Sequence, residues 1–296
     1  MPKIFSSNIL TYIIFFSYNI TMYPVYKCPK CHRGLKQIGK TLKCENNHCY
    51  DISHKGYVNL LLVNQTHAKD PGDSKRMILA RGAFLDTGKY DCLKNALNSI
   101  IVKYARVDDY FLDLCSGDSY YTSFIAKNSP RLQVVNLDIS KEAIIQGCSR
   151  SRREKINNME FAIGNIDYLP FLSNSFDLML NCFGPINVEE FLRVCKNRGI
   201  YIRVLPGPKH LWELKRVLYG DKSYLNTEKD NSLPGFELID KKMIDDCIHL
   251  DNTQINNLFT MTPYYYKSPK DTTQKLLALP SLDTPIQFEI LVYRKS

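Results

Sequence analysis

The segment Tyr110–Thr122, YFLDLCSGDSYYT, decides the fold. Tyr110, Phe111, Leu112 and Leu114 bracket a single acid, Asp113, and read as a short buried parallel strand. Five small or polar residues follow (Cys115, Ser116, Gly117, Asp118, Ser119), and helical spacing then begins with Tyr121, Phe124 and Ile125. A strand, a tight turn and a helix start form a cradle of the nucleotide-binding type. There the backbone meets a ligand closely, and the free N–H groups of the helix attract negative charge. Further on, the apolar run Leu132 to Leu137 ends in Asp138, a carboxylate at a strand tip that can accept hydrogen bonds from a ribose. The turn lacks a full G-x-G-x-x-G, since Cys115 and Ser119 stand where a dinucleotide dehydrogenase needs glycine. An ordinary strand–turn–helix with a capping acid therefore remains open on this stretch alone.

Working outward, the pattern continues. Ser140 caps a helix toward Cys148, ending in the basic run Arg150, Arg152, Arg153 and Lys155, which reads as a solvated helix end or a phosphate-facing surface. Strands are expected at Glu160–Ile163, Phe176–Cys182 and Gly199–Leu205, with helices from Val188 to Cys195 and from Pro206 to Tyr219. This β-α-β-α-β-β-α-β-α order indicates an α/β fold built on an open, largely parallel sheet. Ligands bind such sheets at the carboxyl ends of the strands. Gly117, Asp138, Asn165, Gly184 and His210 all fall there. Asn165 suits an adenine edge, and Leu169-Pro170-Phe171 suits a wall for the base. Upstream, Asp73 or Ser74 caps a helix from Lys75 to about Leu85, and a second helix runs from Leu93 to Tyr104. Downstream, residues 220–262 read as polar and irregular, with a helix from Lys241 to Ile248. Phe288–Tyr293 reads as a closing edge strand. The triplet Tyr264-Tyr265-Tyr266 with Lys267 suits base stacking, or packing against the sheet.

The ten cysteines divide into a cluster and a scatter. Cys92, Cys115, Cys148, Cys182, Cys195 and Cys247 stand alone in apolar elements, as reduced core residues do in a cytoplasmic protein. Cys28-Pro-Lys-Cys31 and Cys44-Glu-Asn-Asn-His48-Cys49 form two pairs of soft ligands facing one another, which suits a closed, structural tetrahedral zinc site. Cys49 is an alternative fourth ligand, and His32 a weaker one. A segment this small would owe its folding to the metal. The apolar run Ile9–Ile20 is too short to span a bilayer and has no cleavage site after it, so residues 1–22 are expected to be a loose extension or start-site artefact. The net charge of +9, with 44% hydrophobic and 23% charged residues, fits a soluble globular protein with a polyanionic partner and no membrane.

An acid-tipped strand, a second strand ending in acid and a G-N-x-x-x-L-P-F element from Gly164 resemble class I S-adenosylmethionine methyltransferases. With the cysteine–histidine finger in front, the chain resembles the RlmA-type 23S rRNA (guanine-N1)-methyltransferases from about Tyr26 to its end. C-P-K-C with Cys44 and His48, G-Y-V-N-L-L at Gly56, D-P-G-D-S at Asp70, A-F-L-D-T-G-K-Y ending at Tyr90, P-G-P-K-H-L at Pro206 and M-T-P at Met261 carry the resemblance.

The resemblance implies a Rossmann-like class I methyltransferase sheet at residues 63–296 and a zinc-binding RNA-recognition domain at 23–62. It implies zinc on Cys28, Cys31, Cys44 and His48. It also implies that Tyr90, Asp118, Ser119, Asp138 and His210 line the methyl-donor pocket, while Asp113 and Gly117 match the cradle. Its expected partner is 23S rRNA, gripped through Lys27, Lys30, Arg33, Lys36, Lys40 and Lys43, and a homodimer is one option. The family pattern has glycine at Cys115 and Ser119, and its enterobacterial version has arginine at Asn181. Ser119 is expected to place a hydroxymethyl against the donor's methionine end, at a cost on the order of 1 kcal/mol if its φ is positive. The proton acceptor is not named by the sequence; Asp73 and Asp86 are acids on offer, and nothing in the sequence singles out either. An RNA-binding protein with a decayed donor pocket, and a methyltransferase for another RNA or a small molecule, are the competing readings.

Overall fold

The computed structural model describes residues 24–66, 71–220 and 231–296; the expected extension at 1–22 lies outside them, as does Asp70. Three short strands, β1 (Lys36–Ile38), β2 (Thr41–Lys43) and β3 (Cys49–Asp51), pair antiparallel into a small sheet of their own. β4 (Tyr57–Asn59) follows, then α1 (Lys75–Leu85) and α2 (Asp91–Tyr104). α1 starts where a hydroxyl can hold it: Ser74 Oγ accepts from the Met77 amide at 3.4 Å.

The expected strand and helix then appear as β5 (Tyr110–Leu114) and α3 (Tyr120–Asn128). After them run β6 (Gln133–Asp138), α4 (Lys141–Arg153), β7 (Met159–Ile163), β8 (Phe176–Cys182), α5 (Val188–Val194), β9 (Cys195–Pro206) and α6 (Trp212–Tyr219). The chain ends with β10 (Phe236–Asp251), α7 (Asn252–Met261), α8 (Tyr264–Lys267), α9 (Lys270–Leu277) and β11 (Ser281–Lys295). Eight strands form one sheet in the order β10-β11-β9-β8-β5-β6-β7-β4. The strands from β9 through β4 are parallel, and β11 runs antiparallel to both β9 and β10. Chain order reverses at β5: β6 lies on one side and β8 on the other. That crevice is where an open α/β sheet takes its ligand.

Alternation along the strands sends side chains to two cores. Phe111, Val134, Leu180 and Ile202 pack with α1, α2, α3 and α6, while Leu112, Val135, Met179 and Tyr201 pack on the opposite face. The second core reaches into the finger, taking in Val25, Tyr26, Leu35 and Leu42. Tyr26 pairs with Phe171 (ring centroids 5.5 Å apart), and Lys27 N–H donates to the Pro170 carbonyl at 2.9 Å. β4 extends the main sheet by pairing with β7, which bonds the chain leaving the finger into the larger body.

Three expectations fail. The helix expected at Lys241–Ile248 is part of β10, paired residue for residue with β11. As the sheet's outer strand it exposes most of its side chains, and its charges follow that exposure rather than a helical period. β11 is correspondingly interior, between β9 and β10. Leu169 and Phe171 wall no adenine: both are fully buried in the core shared with the finger.

Candidate active site and metal centre

The four expected metal ligands converge. One ligand atom from each of Cys28, Cys31, Cys44 and His48 lies within 4.8 Å of the others. His48 Nδ1 is 3.4 Å from both Cys28 Sγ and Cys44 Sγ, and Cys31 Sγ is 3.6 Å from Cys44 Sγ. A tetrahedron with metal–sulfur bonds of about 2.3 Å sets its sulfurs about 3.8 Å apart, so three thiols and an imidazole at these distances fit zinc. Cys49 is exposed and turns its thiol to the Asn47 carbonyl, and exposed His32 is not in the cluster. Burial alone would raise the Cys28 thiol; the Tyr50 hydroxyl at 3.3 Å and the amides of Cys31 and Lys30 outweigh it and bring it down to about 6. That favours the thiolate a metal requires.

The cradle lies at the end of β5. Cys115, Gly117 and Ser119 all have positive φ, at 71°, 56° and 57°. Two of the three therefore carry a Cβ in a conformation that favours glycine. Neither side chain enters the cradle. Cys115 Sγ lies against Gly184, 2.8 Å from where a Cβ on that glycine would sit, and Ser119 Oγ lies 2.9 Å from the corresponding point on Gly147 of α4. The glycines missing from the turn thus stand on the elements packed against it, and Ser119 is directed away from the position expected for it. The face of Gly117 stays clear; the nearest side-chain atom to its absent Cβ is Arg81 Nη1 at 3.7 Å.

Asp138 closes the other side. Its Oδ2 accepts from Gly117 N–H at 2.9 Å and its Oδ1 from Ser140 N–H at 2.8 Å. Each carboxylate oxygen keeps a second lone pair for a ligand hydroxyl. Burial raises this acid despite those amides and Arg81. Asp113 lies beneath the turn, accepts the Thr122 hydroxyl and is pushed up to about 7 by burial and by nearby Asp138. It fastens α3 to β5.

The remaining expected residues divide. Tyr90, His210 and Phe288 form one buried aromatic group, with Tyr90 and His210 ring centroids 6.1 Å apart. His210 Nδ1 accepts from the Gln287 amide, and burial, assisted by Lys215, lowers the ring to about 3 and keeps it neutral. Asp118 turns away from the ligand side. Its Oδ2 pairs with Arg150 at 2.5 Å, and Arg150 also holds Asp86 at 2.8 Å, which clamps the turn to α4 and to the end of α1. Arg150 is thus buried in that clamp rather than solvated or facing phosphate. Asn165 donates to the Gln65 carbonyl and accepts from the Asp167 amide, so its amide is spent on the backbone. Asn181 is buried and shapes the turn after β8 through the Gly184 amide and the Pro185 carbonyl.

Sequence reasoning missed Arg81. Its Nη2 pairs with Asp73 and reaches the Met261 carbonyl at 3.4 Å, gathering two of the scattered motifs at the mouth of the cradle. Its signal was only its place about two turns after the capped start of α1.

Several buried hydroxyls around this turn, Tyr90 Oη, Ser116 Oγ and Ser119 Oγ among them, have no hydrogen-bond partner among the described residues. Orphaned donors, a clear Gly117 face and an acid at the β6 tip fit an adenosyl ligand with an amino-acid tail. Fold and site together define a class I, S-adenosylmethionine-dependent methyltransferase carrying a zinc ribbon. The family model for the RlmA N-terminal zinc ribbon matches residues 26–69, and a methyltransferase-domain model matches residues 106–242. The chain is 26% identical over 265 residues to the 23S rRNA (guanine(748)-N(1))-methyltransferase of Streptomyces fradiae, covering 86% of this chain and 91% of that one. It is also 26% identical over 286 residues to YxjB of Bacillus subtilis (strain 168), provisionally named a 23S rRNA (guanine-N1)-methyltransferase, covering 92% and 98%. A demethylmenaquinone methyltransferase of Geobacillus sp. (strain WCH70) is 32% identical over 99 residues, 33% of this chain and 42% of its own. The chain thus joins a zinc ribbon that matches the RlmA N-terminal model to a methyltransferase domain.

Proposed function

We propose that this protein transfers the methyl group of S-adenosylmethionine to N1 of a guanine in a 23S rRNA hairpin loop. The observation that carries the reading is the ribbon itself, fixed to the sheet beside β7 through a shared core and presenting exposed Lys30, Arg33, Lys36 and Lys40. A small-molecule methyltransferase needs no such head, whereas an RNA enzyme needs cations to hold phosphates and orient a loop. The relatives that match nearly the whole chain are named for 23S rRNA, which supports the same reading.

The donor's sulfonium supplies an already activated methyl group. The protein's work is therefore orientation: Asp138 and the Gly117 turn fix the ligand, and neutral His210 with Tyr90 and Phe288 forms a dry aromatic wall. Guanine N1 must leave its stack and lose a proton. Asp73 and Asp86 are both held by arginines, so neither stands as a free base.

The test is incubation of purified zinc-loaded protein with S-adenosylmethionine and 23S rRNA fragments, followed by nucleoside mass spectrometry. The expected product is N1-methylguanosine at one loop position, which also stops reverse transcription because the methyl blocks the pairing edge. Absence of methylated nucleoside with every hairpin of the rRNA contradicts the proposal.

A further inference from the structure

The tyrosine triplet of α8 divides by environment. Tyr264 packs edge-on to Tyr219, and Tyr265 to Phe259, both against the core, but Tyr266 is 65% exposed. Its hydroxyl lies 3.3 Å from Ser74 Oγ, the cap of α1, and its ring stands edge-on to Tyr265 with centroids 5.0 Å apart. Arg76 lays its guanidinium over the Tyr265 ring, 5.2 Å from the centroid, and has no acidic partner among the described residues. α8 thus builds an aromatic and cationic platform at the start of α1. Beside it a groove of about 730 Å³ lies between α1 and α7. Leu79, Ala80 and Ala83 give it an apolar surface, Lys75 and Arg76 supply its charge, and Asn257 lines it from α7. None of the described residues lining it is acidic.

α1 separates this groove from the cradle. Arg81 lies about 140° around the helix from Arg76, so one face of α1 serves Gly117 and another the groove. The two meet at the rim, where Met261 ends α7, accepts from Arg81 and leads directly into α8. An RNA loop that extrudes its target base into the cradle carries its adjoining nucleotides across this rim. An exposed ring and a guanidinium already flattened on a second ring offer planes on which a base stacks. Two cations beside an apolar surface without acids suit the phosphate of the same nucleotide, in a chain of net charge +9.

We propose that the groove between α1 and α7, with Arg76 and Tyr266 at its head, binds an unpaired nucleotide of the rRNA loop beside the target guanine. The inference rests on the rRNA reading and deepens it, adding a second contact surface on the far side of α1 from the donor. The experiment uses the full, zinc-loaded chain: fluorescence anisotropy with labelled 23S rRNA fragments, beside calorimetry with S-adenosylmethionine. Tyr266→Ala should weaken RNA binding about 5- to 100-fold, the range for one lost base stack, and Tyr266→Phe, which keeps the ring without the hydroxyl, should stay within about twofold of wild type. Arg76→Ala should lower the slope of log affinity against log salt by about one, whereas Tyr266→Ala should leave that slope unchanged. Asn257→Glu, which sets an acid in the groove, should also weaken RNA binding. All four variants should bind S-adenosylmethionine within about twofold of wild type. RNA affinities and salt slopes equal to wild type in Tyr266→Ala, Arg76→Ala and Asn257→Glu, or losses shared equally with S-adenosylmethionine, overturn the assignment while leaving the rRNA reading intact. Failure of the folded wild-type protein to bind any 23S rRNA fragment overturns both.

Discussion

Asp113 shows how one buried acid shapes the site's response to pH. Its carboxyl is pushed from 3.8 to about 7 by burial. Between those values the folded protein holds a proton that the unfolded chain has released, so this residue's contribution is full below the lower value and is lost as pH rises through the upper one. Thermal melts from pH 5 to 7.5 should therefore show the wild type losing stability relative to Asp113→Asn as pH rises. Parallel curves would contradict the assignment. The same scale shows what was legible locally. Asp138 and Gly117 were readable because a strand-tip acid and a turn glycine have few other uses in sequence, and they meet at 2.9 Å. The direction of the Asp118 carboxylate was not legible, because it depends on Arg150, a residue from a later helix that gives no signal at the turn.

At the scale of elements, the turn works because its neighbours accommodate it. Gly147→Ala should gain helix propensity but place a Cβ 2.9 Å from Ser119 Oγ and 3.0 Å from the Phe161 ring, for a net loss of about 1–3 kcal/mol. Adding Ser119→Gly should recover part of that loss, a coupling of at least about 0.5 kcal/mol measurable by urea unfolding of the four-variant cycle. Strict additivity would show that the two residues do not share this contact. The accommodation also removes the ground for a decayed donor pocket, since neither Cys115 nor Ser119 obstructs the Gly117 face. α1 and β5 were legible because their signals are local: a cap at Asp73 or Ser74 for one, which the structure resolves to Ser74, and an apolar run for the other. β10 was not, because its only instruction is a long antiparallel partner, β11, that follows it in the chain.

At the scale of the molecule, ribbon and sheet behave as one folded body. Phe171 is completely buried and touches Tyr26 of the finger and Phe176 of β8. Phe171→Ala should destabilise the protein by about 3–5 kcal/mol, seen as an earlier urea midpoint, and should weaken RNA binding before it weakens donor binding. A variant with unchanged RNA affinity would show that the ribbon's seat is not needed for recognition. Spacing made the zinc site legible while leaving Cys49 and His32 as alternatives to His48, but the ribbon's attachment was not legible, because it depends on Pro170 and Phe171 meeting Tyr26 and Lys27 across the chain.

The account holds that the cradle at Gly117 and Asp138 delivers a methyl group to a nucleobase presented by the zinc-bound head. The most direct measurement is mass-spectrometric mapping of 23S rRNA from cells with and without this protein. One guanine should carry an N1-methyl group when the protein is present and lose it when the gene is deleted, returning with the wild-type gene but not with Asp138→Ala. Identical rRNA from both strains, at every guanine, would contradict it.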